Sequence, residues 1–223
     1  YEMQRSLVGS EMCIRDSSAG AYVSANDKVI YHSVLANDKV QDMVEVLKEH
    51  GACFMLQGIN GRYVDEENAK KMRERCMRLG LDIDGALNGM TLVEHPEQMP
   101  ALESGMYFDA DIPVDVMQKE VGNYIKITGA SFGKDRQMSG EMTKMGVNKA
   151  TGMQRLMDEL KIGREDTIAF GDGPNDVEML QFAGTGVAMG NAIPAVKQYA
   201  DMVTDKIDED GLYHAFERLH LLG

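Results

Sequence analysis

Hydrophobic and polar positions alternate in two different rhythms along this chain, and the clearest part is its last third. Lys149 to Leu160 (KATGMQRLMDEL) spaces its apolar residues for an amphipathic helix, and Thr167 to Phe170 is a short β-favouring run. Asn175 to Phe182 then reads as a helix, Gly186 to Met189 as a strand, and Ile193 to Ala200 as a helix with Pro194 at its start. Met202 to Thr204 is a further strand and Gly211 to Leu222 a final helix. Helices alternating with short strands are the pattern of βαβ units around a parallel sheet.

The earlier chain is less regular. Ala19 to Val34 holds two apolar runs flanking Asn26-Asp27, which predicts a β-hairpin. Asp38 to His50 places Val40, Met43, Val44 and Leu47 at helical spacing, with Gly51 as a stop. Ala52 to Leu56 is a buried strand, Gly58 to Gly61 a turn, Arg62 to Val64 a short strand, and Asp65 to Leu79 a charged helix ending at Gly80. Leu81 to Asp111 reads as irregular. Val114 to Val121 is expected to be helical and Tyr124 to Thr128 extended. No internal repeat or low-complexity tract is visible.

Composition narrows the function classes. The 223 residues, 43% of them apolar, suffice for one large domain or a core with a smaller module. A net charge of −13 argues against nucleic acid or an anionic membrane as the main partner, and no apolar run approaches bilayer length. An acidic protein can still hold phosphate through a local cation, a metal or helix-end amides. Cys13, Cys53 and Cys76 form no CxxC pair, so core packing in a reducing, cytoplasmic setting is expected. The 18 Met residues read as core filler in a chain without Trp.

The candidate chemistry sits where the strand Thr167–Phe170 runs into Gly171-Asp172-Gly173-Pro174-Asn175-Asp176. Ligands of open parallel sheets bind beyond the carboxyl ends of the strands. Asp172 and Asp176 are hard oxygen donors on a tight loop, suited to magnesium with its retained waters and a substrate phosphate. Gly171 and Gly173 are expected to supply backbone angles that a side chain resists, and Asn175 to cap the next helix or reach a ligand oxygen. Lys149 opens a helix, where a cation opposes the dipole, so an anion is expected nearby.

IAFGDGPNDVEML resembles the fourth signature motif of the haloacid-dehalogenase superfamily, in its Cof-type branch of phosphatases, and VNKATGMQRLMDEL resembles the third motif with Lys149 as its lysine. GVAMGNA, VKQYADMVTD and DEDGLYHAFERL also follow the branch's C-terminal pattern. P-type ion pumps share the acidic loop but need transmembrane helices. The resemblance implies an α/β fold: a Rossmann-like core with a parallel sheet, over residues 18–33 and 141–223, and an inserted α+β cap domain over residues 34–140. It implies Mg2+ held by Asp172 and Asp176, Asn175 on the phosphate or substrate, and Lys149 pairing with the aspartyl nucleophile and the phosphoryl oxygens. The implied activity is hydrolysis of a small phosphorylated metabolite, such as a sugar phosphate, through an aspartyl-phosphate. A phosphomutase, or a non-catalytic fragment that binds Mg2+ or phosphate, are the alternatives.

The family's first two motifs, which supply the nucleophile, the acid/base aspartate and a Ser or Thr, precede the hairpin and are expected upstream of Ala19. Nothing in residues 1–18 fits them, Ser17 and Ser18 included, so the chain as it stands is expected to be inactive. Within residues 1–17, SLVGSEMCIRDS resembles a translated sequencing-adapter scar, with a short native helix as the alternative. Leu81-Asp82-Ile83-Asp84-Gly85 imitates the first motif, but a charged helix precedes it, and a polar cap turn is expected. Asp201, Asp205, Asp208, Glu209 and Asp210 read as a solvated loop and helix cap. The five His residues (32, 50, 95, 214 and 220) share no metal spacing. Gln57, Asn60 and Arg62, on a turn of the expected cap, are candidates for substrate contact.

Overall fold

The structure is a computed structural model that describes residues 14–26, 28–130 and 137–222; the rest of the adapter-like stretch, residues 1–13, lies outside them. Two compact units are formed, one from residues 1–31 and 148–223 and the other from residues 32–147. The first begins with a three-stranded sheet in the order β1 (Ile14–Ser17), β2 (Tyr22–Ala25), β3 (Lys28–His32). The two runs of the expected hairpin form β2 and β3, and position 27 of its turn lies outside the described residues. Ile14 to Ser17, expected to lie outside the native fold, pair antiparallel with β2.

The second unit is an α+β arrangement on a six-stranded sheet. Along the chain it contains α1 (Asn37–Glu49), β4 (Cys53–Gly58), β5 (Gly61–Val64), α2 (Glu66–Leu79), α3 (Ile83–Leu87) and β6 (Met90–Leu92). There follow β7 (Leu102–Phe108), α4 (Val114–Val121), β8 (Ile125–Gly129) and β9 (Gly140–Lys144). The strand order is β6-β5-β4-β7-β9-β8. The helical spacing of Val40, Met43, Val44 and Leu47 buries that face of α1 against Phe54 and Leu56 of β4. Cys53 and Met55, on the opposite side of the same strand, pack with Ala69 and Met72 of α2. Burial on both faces is why β4 reads as a continuous apolar run instead of an alternating one. Asp65 caps α2 by accepting from the Asn68 N–H, and Gly80 ends it in the left-handed region.

Residues 81–111, expected to be irregular, instead hold α3, β6 and the central strand β7. The β7 sequence LESGMYF hides its strand character because its polar residues are buried. Glu103 is fully enclosed and meets His32 Nε2 at 2.7 Å. At Gly105 an added Cβ would lie 2.9 Å from side-chain carbons of Leu56 and Met142. A bulge at Gln57/Gly58 further blurs the alternation. β9 pairs with both β7 and β8, so residues 141–147, expected in the core, belong to the second unit. Burial pushes the Cys53 thiol up to about 12, as befits a packing residue.

The first unit resumes with α5 (Lys149–Leu160), opened by a reciprocal cap between Asn148 and Thr151 at 2.9 and 3.0 Å. β10 (Ile168–Gly171), α6 (Val177–Phe182), β11 (Thr185–Ala188), α7 (Pro194–Lys197), β12 (Met202–Val203) and α8 (Gly211–Arg218) complete it. β10, β11 and β12 form a parallel sheet in that order, joined by helical crossovers as the α/β reading requires. Ala169 and Ala188 pack with Met179, Leu180 and Val196. Gly20, at φ +96°, lies so close to α5 that a Cβ would sit 2.2 Å from the Asn148 carbonyl oxygen. Among the described residues no helix is long and apolar enough to cross a membrane.

Candidate active site

β10 delivers the chain to Gly171, and the loop folds back on itself immediately. An added Cβ at Gly171 would lie 2.4 Å from the Asp176 Cβ, so the glycine is needed for space. The expected special backbone angles are not used: Gly171 is absent from the positive-φ positions, and Gly173 has φ −105°. Folding back lets Asp176 Oδ2 accept the N–H groups of Asp172 at 2.9 Å and Gly173 at 3.0 Å. Asp176 thereby closes the turn Pro174–Asp176 from its far end by accepting the Gly173 N–H. A carboxylate oxygen has more than one acceptor site, so Oδ2 alone takes both amides from the far end of the turn.

The other oxygen, Oδ1, receives the Lys149 ammonium at 2.5 Å. This is the anion that the unfavourable place of Lys149 at the start of α5 called for. The Asp176 side chain is 4% exposed and that of Lys149 19%. Burial is the largest influence on Asp176 and by itself raises its pKa. The Lys149 charge, its hydrogen bond and the two loop amides together outweigh burial and hold the carboxyl below the ordinary aspartate range.

Asp172 differs from Asp176 in exposure and in partners. It is exposed, and its Oδ2 accepts from Asn191 Nδ2 at 3.0 Å. Asn191 in turn accepts the Ile207 N–H at 3.2 Å. Asn175 is half-buried on the short turn Pro174–Asp176 between the two aspartates. The structure thus gathers Lys149, Asp172, Asn175 and Asp176 on one loop and the helix end beside it. Asn191, the Asn of GVAMGNA, is a residue of this site that sequence reasoning gives no role. Its signal was an Asn just past a strand end, a place where side-chain amides reach site loops.

As a metal site the donor set is partial. Among the described residues no group of three or more His, Cys, Asp or Glu side chains has the geometry to hold an ion. Asp176 has both oxygens committed, while Asp172 is exposed and, among the described residues, engaged through Oδ2 alone. Magnesium takes one or two carboxylates and keeps its waters, so one exposed carboxylate backed by a buried one fits this ion.

The other expected residues lie elsewhere. Asp82 and Asp84 stand exposed at the start of α3, where Asp82 accepts from the Asp84 N–H at 3.1 Å. Gln57 and Arg62 face each other across β4 and β5, with Asn60 in the turn between them, and Arg62 donates to the Asn88 carbonyl at 2.5 Å. Asp205 accepts from Arg218 and shares a contact with His214, and Asp201 accepts the Gly186 N–H. These acidic residues stabilise the C-terminal segment.

The model of the haloacid dehalogenase-like hydrolase family matches residues 6–216. The chain belongs to that family. Among its relatives is YitU of Bacillus subtilis, named a 5-amino-6-(5-phospho-D-ribitylamino)uracil phosphatase, at 56% identity over 72 residues. That match covers 32% of this chain and 27% of YitU. YcsE of the same organism, with the same named activity, is 26% identical over 96% of this chain and 92% of its own length. In the two relatives matched at 45% and 56% identity, the matched stretch spans 34% and 27% of the protein, about a third or less. Among solved structures, the subclass IIB sugar phosphatase BT4131 superposes with a TM-score of 0.73 at 27% identity, covering 92% of this chain and 74% of that one.

Proposed function

We propose that this chain is the magnesium- and phosphate-handling part of a phosphatase that hydrolyses a small phosphorylated metabolite. The observation that carries the reading is the pair Lys149–Asp176, held by two loop amides beside the exposed carboxylate of Asp172. Asp172 and Asp176 would hold Mg2+, Asp172 with its exposed carboxylate and Asp176 in support while its oxygens stay with Lys149 and the amides. Bound there, the ion would supply charge neutralisation for the phosphate.

Lys149 is the fixed cation of the site. Its ammonium is aimed and partly desolvated before substrate arrives, so it can stabilise charge on the phosphoryl oxygens without reorganising. Asn175 contacts the phosphate or the group that bears it. The nucleophilic and acid/base aspartates fall outside the residues gathered here. We therefore assign this chain binding without turnover, and assign turnover to a longer protein containing it. In that protein a carboxylate oxygen attacks phosphorus, the alcohol leaves with a proton, and water cleaves the aspartyl-phosphate.

In the same proposal the first unit is the catalytic core and residues 32–147 are the cap that selects substrate. A sugar or sugar-alcohol phosphate ester is the proposed substrate class. The names of YitU and YcsE, with their phosphorylated ribityl chain, and of the sugar phosphatase BT4131 support it. A reducing, cytoplasmic location belongs to the proposal as well, supported by free Cys53 and Cys76. The test is p-nitrophenyl phosphate and sugar-phosphate hydrolysis by the full-length protein with and without magnesium. Chelation and Asp172→Asn should each abolish turnover, and unchanged turnover in that variant sinks the reading.

A further inference from the structure

Asn191, in the loop after β11, joins two parts of the first unit. Its Nδ2 donates to Asp172 Oδ2 at 3.0 Å, and its Oδ1 accepts the Ile207 N–H at 3.2 Å. The two partners fix the orientation of the amide, because a carboxylate needs a donor and an N–H needs an acceptor. The anchor is itself held. Gly190 donates its N–H to the Asp205 carbonyl at 3.0 Å, Lys197 donates to the Gly190 carbonyl at 2.7 Å, and Arg218 donates to the Asp205 carboxylate at 2.8 Å.

We infer that Asn191 is a positioning residue that commits one oxygen of Asp172 and so makes this site prefer a small divalent cation over a larger one. The inference rests on the reading of Asp172 as the cation-holding carboxylate. With an amide hydrogen on Oδ2, that oxygen is the poorer electron donor, and Oδ1 is left to make a single-oxygen contact. Magnesium demands near-octahedral, single-oxygen ligands, whereas calcium accepts both oxygens of one carboxylate and tolerates irregular geometry. Losing the Asn191 amide frees Oδ2 and lets the carboxylate turn. That harms the ion with strict geometry more than the tolerant one. Outer partners of ligating groups typically govern metal affinity by roughly 10–100-fold.

The experiment is calorimetric titration of the 223-residue chain with MgCl2 and with CaCl2, comparing the native sequence with Asp172→Asn, Asn191→Ala and Ile207→Pro. Ile207→Pro removes the N–H that anchors Asn191 and otherwise exchanges a side chain that is 67% exposed. Lys206 at φ −70° and ψ 163° already has the extended conformation a following proline requires, and position 207 opens a helical turn. Melting temperatures show that each variant is folded, and the proline variant keeps the test open should Asn191→Ala not fold. Asn191→Ala should lose roughly 10–100-fold in magnesium affinity and less in calcium affinity, with Ile207→Pro falling in between. If Asp172→Asn binds magnesium like the native chain, the site reading fails and takes this inference with it. If Asp172→Asn abolishes binding while Asn191→Ala keeps both its magnesium affinity and its magnesium-to-calcium ratio, only the role of Asn191 is overturned. Equal losses for both ions overturn it too.

Discussion

Two short segments of this chain set aspartates beside glycine. Gly171 to Asp176 follows a parallel strand that is buried at alternate residues, and Leu81 to Leu87 follows the charged helix α2. In the first, Asp176 is almost fully enclosed and each of its oxygens is claimed, by Lys149 on one side and by two amides on the other. In the second, Asp82 and Asp84 stand in solvent, and Asp82 accepts the Asp84 N–H in a local turn contact. The letters are alike, but the energetics are opposed. A carboxylate in water costs nothing to keep and does little. A buried one is held only because charge and hydrogen bonds offset its desolvation, and that arrangement can be turned toward a ligand.

The strongest way to break this comparison is Asp176→Ala. It strands the Lys149 charge and leaves two loop amides without acceptors, so a loss of roughly 3–5 kcal/mol is expected in urea unfolding. Removing Lys149 as well, in Asp176→Ala/Lys149→Met, should cost less than the two single changes summed. Additivity would mean the pair is uncoupled. In the native chain the contribution of Asp176 is present above the ordinary aspartate range, because its folded pKa is depressed. It should be lost only as pH falls below about 4.

Gly171→Ala comes next. The new methyl meets the Asp176 Cβ, and overpacking of this kind costs about 1–3 kcal/mol. The shift should also weaken magnesium binding, and a variant of native stability and affinity would show that the loop has slack. Asp82→Ala, by contrast, removes an exposed helix cap and should cost at most about 1 kcal/mol with no change in cation binding. A change in magnesium affinity there would return the second segment to consideration.

The smallest effect concerns the other kind of carboxylate in the second unit. His50 bridges Glu120 and Asp111 at 2.7 Å each, and these contacts, Glu120 first, raise its pKa. The stability it adds should be fully present below the ordinary histidine value near ~6.5 and fade as pH rises through the raised one. An NMR titration of His50 in the native chain and in Glu120→Gln checks this; an unchanged midpoint in the variant contradicts it.

Much of the first unit was legible because its signals are local. The α5 cap, the apolar strand before the loop and Pro194 at a helix start are each written within a few residues. The anion expected beside Lys149 followed from the helix dipole alone, and it is Asp176. What stayed hidden depends on distant contacts. β7 contains a buried Glu and a Gly made necessary by Leu56 and Met142, neither near in sequence. β9 acquires its place from pairing with β7 and β8. Asn191 acts on a residue in another loop, and nothing in GVAMGNA states which.

The division of the Asp176 carboxylate between two masters bears on protein design. The hexapeptide Gly171–Asp176 is not a portable module. Its oxygens are satisfied partly by its own backbone and partly by a lysine 27 residues earlier, on a helix whose first turn presses against Gly20. A graft of the loop alone into another parallel sheet would bring along half a circuit with an open terminal. The smallest transplantable piece is the loop, the opening turn of α5 and the glycine that lets that turn come close.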